Sequence, residues 1–253
     1  EGREGVRTGA GRGIGRGHAL GRARQGAKVV VNGLGVSNSG EGGGQGPADE
    51  VVQAIRDMGG EAVANGADVA DWVQTEALVR QAIDEFGRLD AVVNNAGFVR
   101  DRMFVSCSEE EWDAIIRVHL KGHFCVARHA AAYWRGQVKA GKEVDARIIN
   151  TSSTSGLIGN FGQTNYAAAK AGIAGLTRVL ALEGTLILGM PAAVSLALAA
   201  RKSHRPLMPA LLCLGAGACV CFAGGPKVTG PAKPSFFAPR PRAPHSPAGR
   251  PPR

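Results

Sequence analysis

Tyr166 and Lys170 stand four residues apart, and Ser153 lies thirteen residues before the tyrosine. On a helix, residues i and i+4 share a face about one turn apart, so this spacing predicts a phenol and an ammonium aimed into one site. A phenol with an ordinary pKa of ~10 is a poor base at neutral pH, and a cation within a few ångströms favours its phenolate. Such a tyrosine can exchange a proton with an alcohol or carbonyl oxygen. The strand-like run Ile148-Ile149 leads into Thr151-Ser152-Ser153, and Ser153, placed by the preceding strand end, could hydrogen-bond the same oxygen. Tyr-x-x-x-Lys alone recurs by chance in many helices, and serine-rich turns after strands are commoner still. The reading therefore rests on what accompanies the pair.

Two other stretches accompany it. Thr8-Gly9-Ala10-Gly11-Arg12-Gly13-Ile14-Gly15 opens a helix that continues through Ala19, Leu20 and Ala23. Glycines at these positions let the backbone turn tightly and approach a pyrophosphate, whose charge meets the N–H groups and dipole of the helix start. Asn94-Asn95-Ala96-Gly97 follows the short apolar run Leu89 to Val93. In an open α/β sheet, ligands sit beyond the carboxyl ends of strands, so this amide pair would line the same crevice, although Asn-Asn-Ala-Gly by itself is equally a plain turn.

The elements that must position these groups alternate along the chain. Strands are predicted at Lys28 to Asn32, Glu61 to Asn65, Leu89 to Val93 and Arg147 to Asn150, and helices at Asp49 to Met58, Asp71 to Phe86 and Ser108 to Tyr133. Gly136 to Asp145 reads as a polar insertion, and Gly33 to Gly46, half glycine, as a flexible loop. Glu4-Gly5-Val6-Arg7 makes a poor strand before the glycine loop, because a central parallel strand is a nearly continuous apolar run. The alternation calls for a Rossmann-like doubly wound α/β fold, a parallel sheet with helices on both faces in three layers.

Composition divides the chain near residue 184. The net charge of +9 belongs entirely to the C-terminal part: residues 1–184 are neutral, and residues 185–253 carry nine basic residues and no acid. Twelve of the thirteen prolines also lie there. A dinucleotide-binding domain over 1–184 is thus expected to be followed by an apolar segment over 185–226 and a Pro/Arg-rich disordered tail over 227–253. The basic tail has no aromatic interleaving and argues against nucleic acid as a partner. Its uncharged run Leu207 to Gly225 matches a membrane span in length, but Pro209 and the glycines spoil the helix, so a membrane anchor is not expected. The five cysteines are odd in number and form no CxxC pair, which indicates neither a disulfide framework nor a zinc site and fits the cytoplasm. No apolar leader is visible at Glu1 to Arg7.

With these residues in place, Thr8 to Glu183 resembles the short-chain dehydrogenase/reductase family. The resemblance is carried by Thr8-Gly9-x-x-x-Gly13-x-Gly15, Asp68-Val69, Asn94-Asn95-Ala96-Gly97, Ser153 and Tyr166-x-x-x-Lys170. Val118-His119-Leu120, Arg100-Asp101-Arg102 and Gly159-Asn160-Phe161-Gly162-Gln163 look like the branch of (3R)-hydroxyacyl-CoA dehydrogenases. The resemblance implies an NAD(P)-dependent oxidoreductase that interconverts a secondary alcohol and a ketone, with a small-molecule substrate and a homo-oligomeric assembly if the family's is retained. It implies Tyr166 as acid/base, Ser153 as the group orienting the substrate oxygen, and Lys170 as the cation that lowers the tyrosine's pKa and binds the nicotinamide ribose. Gly9, Gly13, Ile14 and Gly15 would cradle the pyrophosphate, Asp68 and Val69 would contact adenine, and Asn94 would sit by the adenosine ribose. His119 stands where many members have a catalytic asparagine. NAD is preferred over NADP, although Gly33 occupies the position of the usual acidic residue and Arg12 could meet a 2′-phosphate.

The family pattern is lost after Gly184, where a further strand, a Pro-Gly turn, a substrate-covering segment and a final strand are expected. The sheet is therefore read as incomplete at its C-terminal edge, and the chain as either an enzyme or a catalytically impaired nucleotide-binding remnant. The loss of acids and the rise of Ala, Pro, Arg and Gly match a GC-rich gene read out of frame, a reading that resequencing of the gene would test.

Overall fold

The computed structural model describes residues 2–36, 40, 42 and 46–188, together with the backbone of three later strands; side chains are described through residue 184. Five parallel strands form the part of the sheet that bears the site: β1 (Gly5–Arg7), β2 (Val29–Asn32), β3 (Ala62–Asn65), β4 (Ala91–Asn94) and β5 (Arg147–Ser153). Their spatial order is β3-β2-β1-β4-β5. The sequence order thus reverses beside β1, and a ligand crevice opens at such a switch point, beyond the strands' carboxyl ends.

Helices connect the strands: α1 (Gly13–Ala23), α2 (Gly46–Asp57), α3 (Trp72–Phe86), α4 (Glu109–Ile116) and α5 (Gly122–Lys139), the last two joined by a π turn at Arg117–Lys121. A short α6 (Thr154–Ile158) and a long α7 (Thr164–Leu188) follow β5. One core, built on Val6, Val30, Leu78, Val92, Val126 and Trp134, lies on one face of the sheet. The other, built on Ala19, Val29, Val31, Val51 and Ile55, lies on the opposite face, as alternation along β2 requires. Local signals end the helices where expected. Asp71 caps α3 by accepting from the Gln74 N–H, and Gly87 closes it with φ +78. Ser108 and Glu111 form a reciprocal capping box at the start of α4.

Three expectations are corrected. Gly5–Arg7 is a strand despite its composition, paired in parallel with both β2 and β4. The segment read as a polar insertion from Gly136 continues α5 to Lys139, anchored by Trp134, whose indole N–H donates to the Leu89 carbonyl at 2.6 Å. Past Gly184, where the sequence reading finds no strand, α7 runs on to Leu188 and three strands follow: β6 (Ala193–Ala199), β7 (Ala210–Cys213) and β8 (Ala218–Phe222). β6 pairs in parallel with β5, β8 in parallel with β6, and β7 runs antiparallel to β8. Each comes from an uncharged apolar run, the composition of a strand buried on both faces. The Pro/Arg-rich tail over 227–253 lies outside the described residues.

Candidate active site

The glycine turn between β1 and α1 is shaped by what its glycines lack. Gly9 has φ +59, and a Cβ there would lie 2.7 Å from the Ala96 Cα; a Cβ on Gly15 would lie 2.1 Å from the Gly9 carbonyl oxygen. Side chains at these positions would separate the turn from the Asn94–Gly97 segment and from its own helix. Gly13 also has φ +52. Thr8 ties the two loops together: its Oγ1 accepts from the N–H groups of Asn95 (2.9 Å) and Ala96 (3.1 Å), and the Asn95 amide donates back to the Thr8 and Gly9 carbonyls. At the start of α1, Arg12 offers no capping hydrogen bond and the first turn holds no acid. The leading N–H groups and positive end of the dipole thus remain available to an anion. The donor set fits a dinucleotide's pyrophosphate, with Ile14 47% exposed beside it.

At the carboxyl ends of β4 and β5, α7 is clamped at Lys170. Its ammonium donates to the Thr151 carbonyl at 2.7 Å, and its own carbonyl accepts from Ser152 Oγ at 2.7 Å. Gly156 of α6 lets that helix press on the same turn, since a Cβ there would come within 2.7 Å of Lys170 and Ala171. The Lys170 ammonium lies 5.6 Å from the centre of the Tyr166 ring, so the two groups share a face as their spacing predicts. Lys170 is 2% exposed, and burial pushes its pKa down to about 7. Ser153 closes β5 and caps α6; its Oγ accepts from the Ser155 N–H at 3.2 Å, which leaves its own hydrogen free to donate.

His119 completes the group. Its ring meets Tyr166 edge to face, with centres 5.2 Å apart. His119 Nε2 lies 2.7 Å from the Phe98 carbonyl and accepts from the Phe98 N–H at 3.2 Å, and Nδ1 is buried without a protein partner. Burial, and then the Lys170 cation, push its pKa down to about 3, against the Phe98 carbonyl, which favours the charged form. The imidazole is therefore neutral rather than a cation. It is delivered by the π turn, and insertions of this kind inside α-helices are frequent at functional sites. Gly97 makes room for it, since a Cβ there would lie 2.1 Å from the imidazole Cε1. A continuous path thus runs from the glycine turn through Ala96 and Phe98 to His119, Tyr166 and Lys170.

The other expected cofactor residues have partners within the protein. Asn94 is fully buried, and its amide donates to Asn150 Oδ1 at 2.9 Å and to the His123 carbonyl, so its side chain braces β4 against β5. The Asp68 carboxylate pairs with Arg117 at 2.6 Å and accepts from the Ala70 N–H, and Val69 packs beneath Gly122. Asn32 is likewise occupied, donating to Asn65 Oδ1 and the Ala67 carbonyl. Arg12 reaches across to the carbonyls of Gly35 and Val36. His123 and Thr8 Oγ1 escaped the sequence reading, though the i+4 spacing from His119 places His123 on the same helical face.

A family model described as short chain dehydrogenase matches residues 6–186. The chain belongs to the short chain dehydrogenase family. It is 51% identical over 184 residues to the peroxisomal multifunctional enzyme type 2 of Mus musculus, an alignment covering 73% of this chain and 24% of that protein. It is 49% identical over 178 residues to the hydroxyacyl-CoA dehydrogenase ChsB1 of Mycobacterium tuberculosis, covering 70% of this chain and 55% of that protein. The crystal structure of a short chain dehydrogenase from Mycobacterium avium superimposes with a TM-score of 0.72 at 56% identity, covering 78% of this chain and 69% of that one. The chain spans less than two thirds of the length of these curated relatives. No helix among the described residues is long and apolar enough to cross a membrane, and no cluster of three or more His, Cys, Asp or Glu there could hold a metal ion.

Proposed function

We propose that this chain interconverts a secondary alcohol and a ketone, with a 3-hydroxyacyl thioester as the substrate class. The observation that carries the reading is the joined arrangement of Tyr166, Lys170 and His119 with the glycine turn, in a chain about half identical to a hydroxyacyl-CoA dehydrogenase. Tyr166 takes the proton from the alcohol in oxidation and returns it in reduction. Ser153 donates to the same oxygen, and Lys170 in its charged form favours the phenolate. Neutral His119 orients the tyrosine ring by its edge-to-face contact. Bound at the glycine turn, NAD or NADP would accept or supply the hydride at its nicotinamide ring. Gly9, Gly13, Ile14 and Gly15 would hold its pyrophosphate, and Lys170 its nicotinamide ribose. Since the side chains of Asn94 and Asp68 are occupied, contacts with the adenosine half at Asn94, Asp68 and Val69 would come from main chain and from packing. NAD is favoured, because Arg12 already donates to two carbonyls. The compartment is read as cytoplasmic from the cysteine pattern, with a peroxisome as the alternative that the name of the Mus musculus relative suggests.

The test is direct: purified protein supplied with a 3-hydroxyacyl thioester and NAD or NADP should reduce the nucleotide, read by absorbance. A second reading, a chain that holds the cofactor without turning over, is favoured by the family match ending at residue 186, inside α7. Calorimetric binding of NAD with no turnover on any alcohol would select it over the first.

A further inference from the structure

Ser153 and Tyr166 must meet one substrate oxygen, yet they stand on different elements, the end of β5 and the first turn of α7. A buried side chain that the proposed reaction leaves unused fixes one against the other. Gln163, the residue before α7, is 2% exposed. Its Nε2 donates to Asp101 Oδ1 at 3.0 Å, and its Oε1 accepts from Ser155 Oγ at 2.7 Å and from the Asn160 amide at 3.0 Å. A carboxylate oxygen offers no hydrogen, so the amide nitrogen must face Asp101 and the amide oxygen must face Ser155. Ser155 in turn donates its main-chain N–H to Ser153 Oγ at 3.2 Å. The neighbouring backbone is pinned as well: the Arg102 N–H donates to the Gly162 carbonyl at 2.7 Å, and the Ala167 N–H to the Gln163 carbonyl at 2.7 Å. Arg100-Asp101-Arg102 and the turn Gly159 to Gln163 are thus locked together across the mouth of the site.

We propose that Gln163 is a positioning residue: it clasps Ser155 to the Arg100-Asp101-Arg102 loop and thereby sets the Ser153 hydroxyl at the oxygen with which Tyr166 exchanges its proton. The inference rests on the roles of Ser153 and Tyr166 in the proposed function. An apolar side chain of the same length would take one partner from each of Asp101, Asn160 and Ser155. The Ser155 hydroxyl is itself buried, so its segment must shift to find another acceptor, and Ser153 lies two residues away. Tyr166 has separate support: its N–H donates to Asn165 Oδ1 at 2.7 Å, and the Asn165 amide donates to the carbonyls of Arg100 and Glu111. Loss of Gln163 therefore displaces the serine and leaves the tyrosine and the glycine turn in place. The serine's hydrogen bond strengthens as charge builds on the reacting oxygen, so the loss falls on kcat.

Gln163→Met keeps the length of the side chain and removes its hydrogen bonds. It should lower kcat for oxidation of a 3-hydroxyacyl thioester about 10- to 100-fold, with the KM for the thioester and the calorimetric Kd for NAD within about twofold of wild type. Ser155→Ala removes only the linking hydroxyl and serves should the methionine variant fail to fold; it should lower kcat about 10-fold with the same unchanged KM. Gln163→Glu sets a second carboxylate against Asp101 and should be impaired likewise. Adding Asp101→Asn restores the bond from the other side, because the new amide donates to the new carboxylate, and kcat should recover. A wild-type kcat in both Gln163→Met and Ser155→Ala, a loss that appears in KM and in the Kd for NAD, or a double variant no faster than Gln163→Glu alone overturns the role of Gln163. A wild-type chain that turns over no alcohol sinks the proposed function and this inference with it, whereas an active wild type with indifferent variants sinks the inference alone.

Discussion

Two cations are buried among the described residues, Lys170 at the end of β5 and Arg7 at the end of β1, and they have little else in common. The lysine donates to the Thr151 carbonyl and lies beside a phenol. The arginine, 2% exposed, lies over the bare backbone of Gly5, where a Cβ would meet its Nη1 at 2.5 Å. It donates to the Val6 carbonyl and leaves its Nε without a partner. Burial, and then the nearby Arg22, push its pKa down to about 10, and burial, followed by Arg7, pushes down that of His18. Burying a charge costs several kcal/mol in either place. The lysine's cost sustains a chemical task, whereas nothing in the structure explains why β1 carries an arginine among the valines of β2 and β4.

The sharpest way to break this contrast is to remove each cation. Lys170→Met should lower the rate of alcohol oxidation about 10²- to 10⁴-fold, the usual worth of positioned acid–base catalysis, while leaving the fold intact. It should also stabilise the protein at pH 6. In the folded chain the amine is charged below about pH 7 and bears its full burial cost there, and it sheds its proton as pH rises above 7. The unfolded chain keeps its proton to about pH 10.4, so wild-type stability gains on the variant between those values and the gap narrows. Denaturant midpoints at pH 6 and pH 9 measure this. Arg7→Met should do the opposite to function: turnover unchanged, and stability raised by about 2–4 kcal/mol in urea unfolding. A destabilised Arg7→Met would mean that β1 uses the guanidinium.

Smaller effects sharpen the picture. His119 is neutral in the folded state down to about pH 3, whereas an unfolded histidine takes up its proton near pH 6.5. Stability should therefore fall as pH falls through that window, by about 1.4 kcal/mol per pH unit for each such imidazole, with His123 adding to the slope. His119→Asn should flatten the acid limb in urea midpoints taken between pH 6.5 and 4. Arg117→Ala, which frees Asp68 from a partly exposed ion pair, should cost no more than about 1 kcal/mol.

Much of the site was legible because its signals are local. Tyr166 and Lys170 are fixed by helical spacing, the glycines by the turn they must make, and Ser153 by the strand it ends. What escaped depends on tertiary partners. β1 holds one apolar residue, Val6, and no pattern marks it; it is a strand because β2 and β4 pair with it on both sides and Gly5 leaves space for Arg7. The π turn that delivers His119 leaves no periodic trace in the sequence. Asn94 carries the right side chain for a ribose, yet only the structure reveals that Asn150 across the sheet takes its amide. The runs at Ala193–Ala199 and Ala218–Phe222 are apolar without alternation, so periodicity could not separate strand from helix there.

The most direct test is the steady-state oxidation of a 3-hydroxyacyl thioester by Tyr166→Phe, beside wild type, with NAD held constant. Phenylalanine keeps the ring against His119 and removes only the hydroxyl, so kcat/KM should fall about 10²- to 10⁴-fold while NAD still binds. A variant that turns over as fast as the wild-type chain would contradict the account.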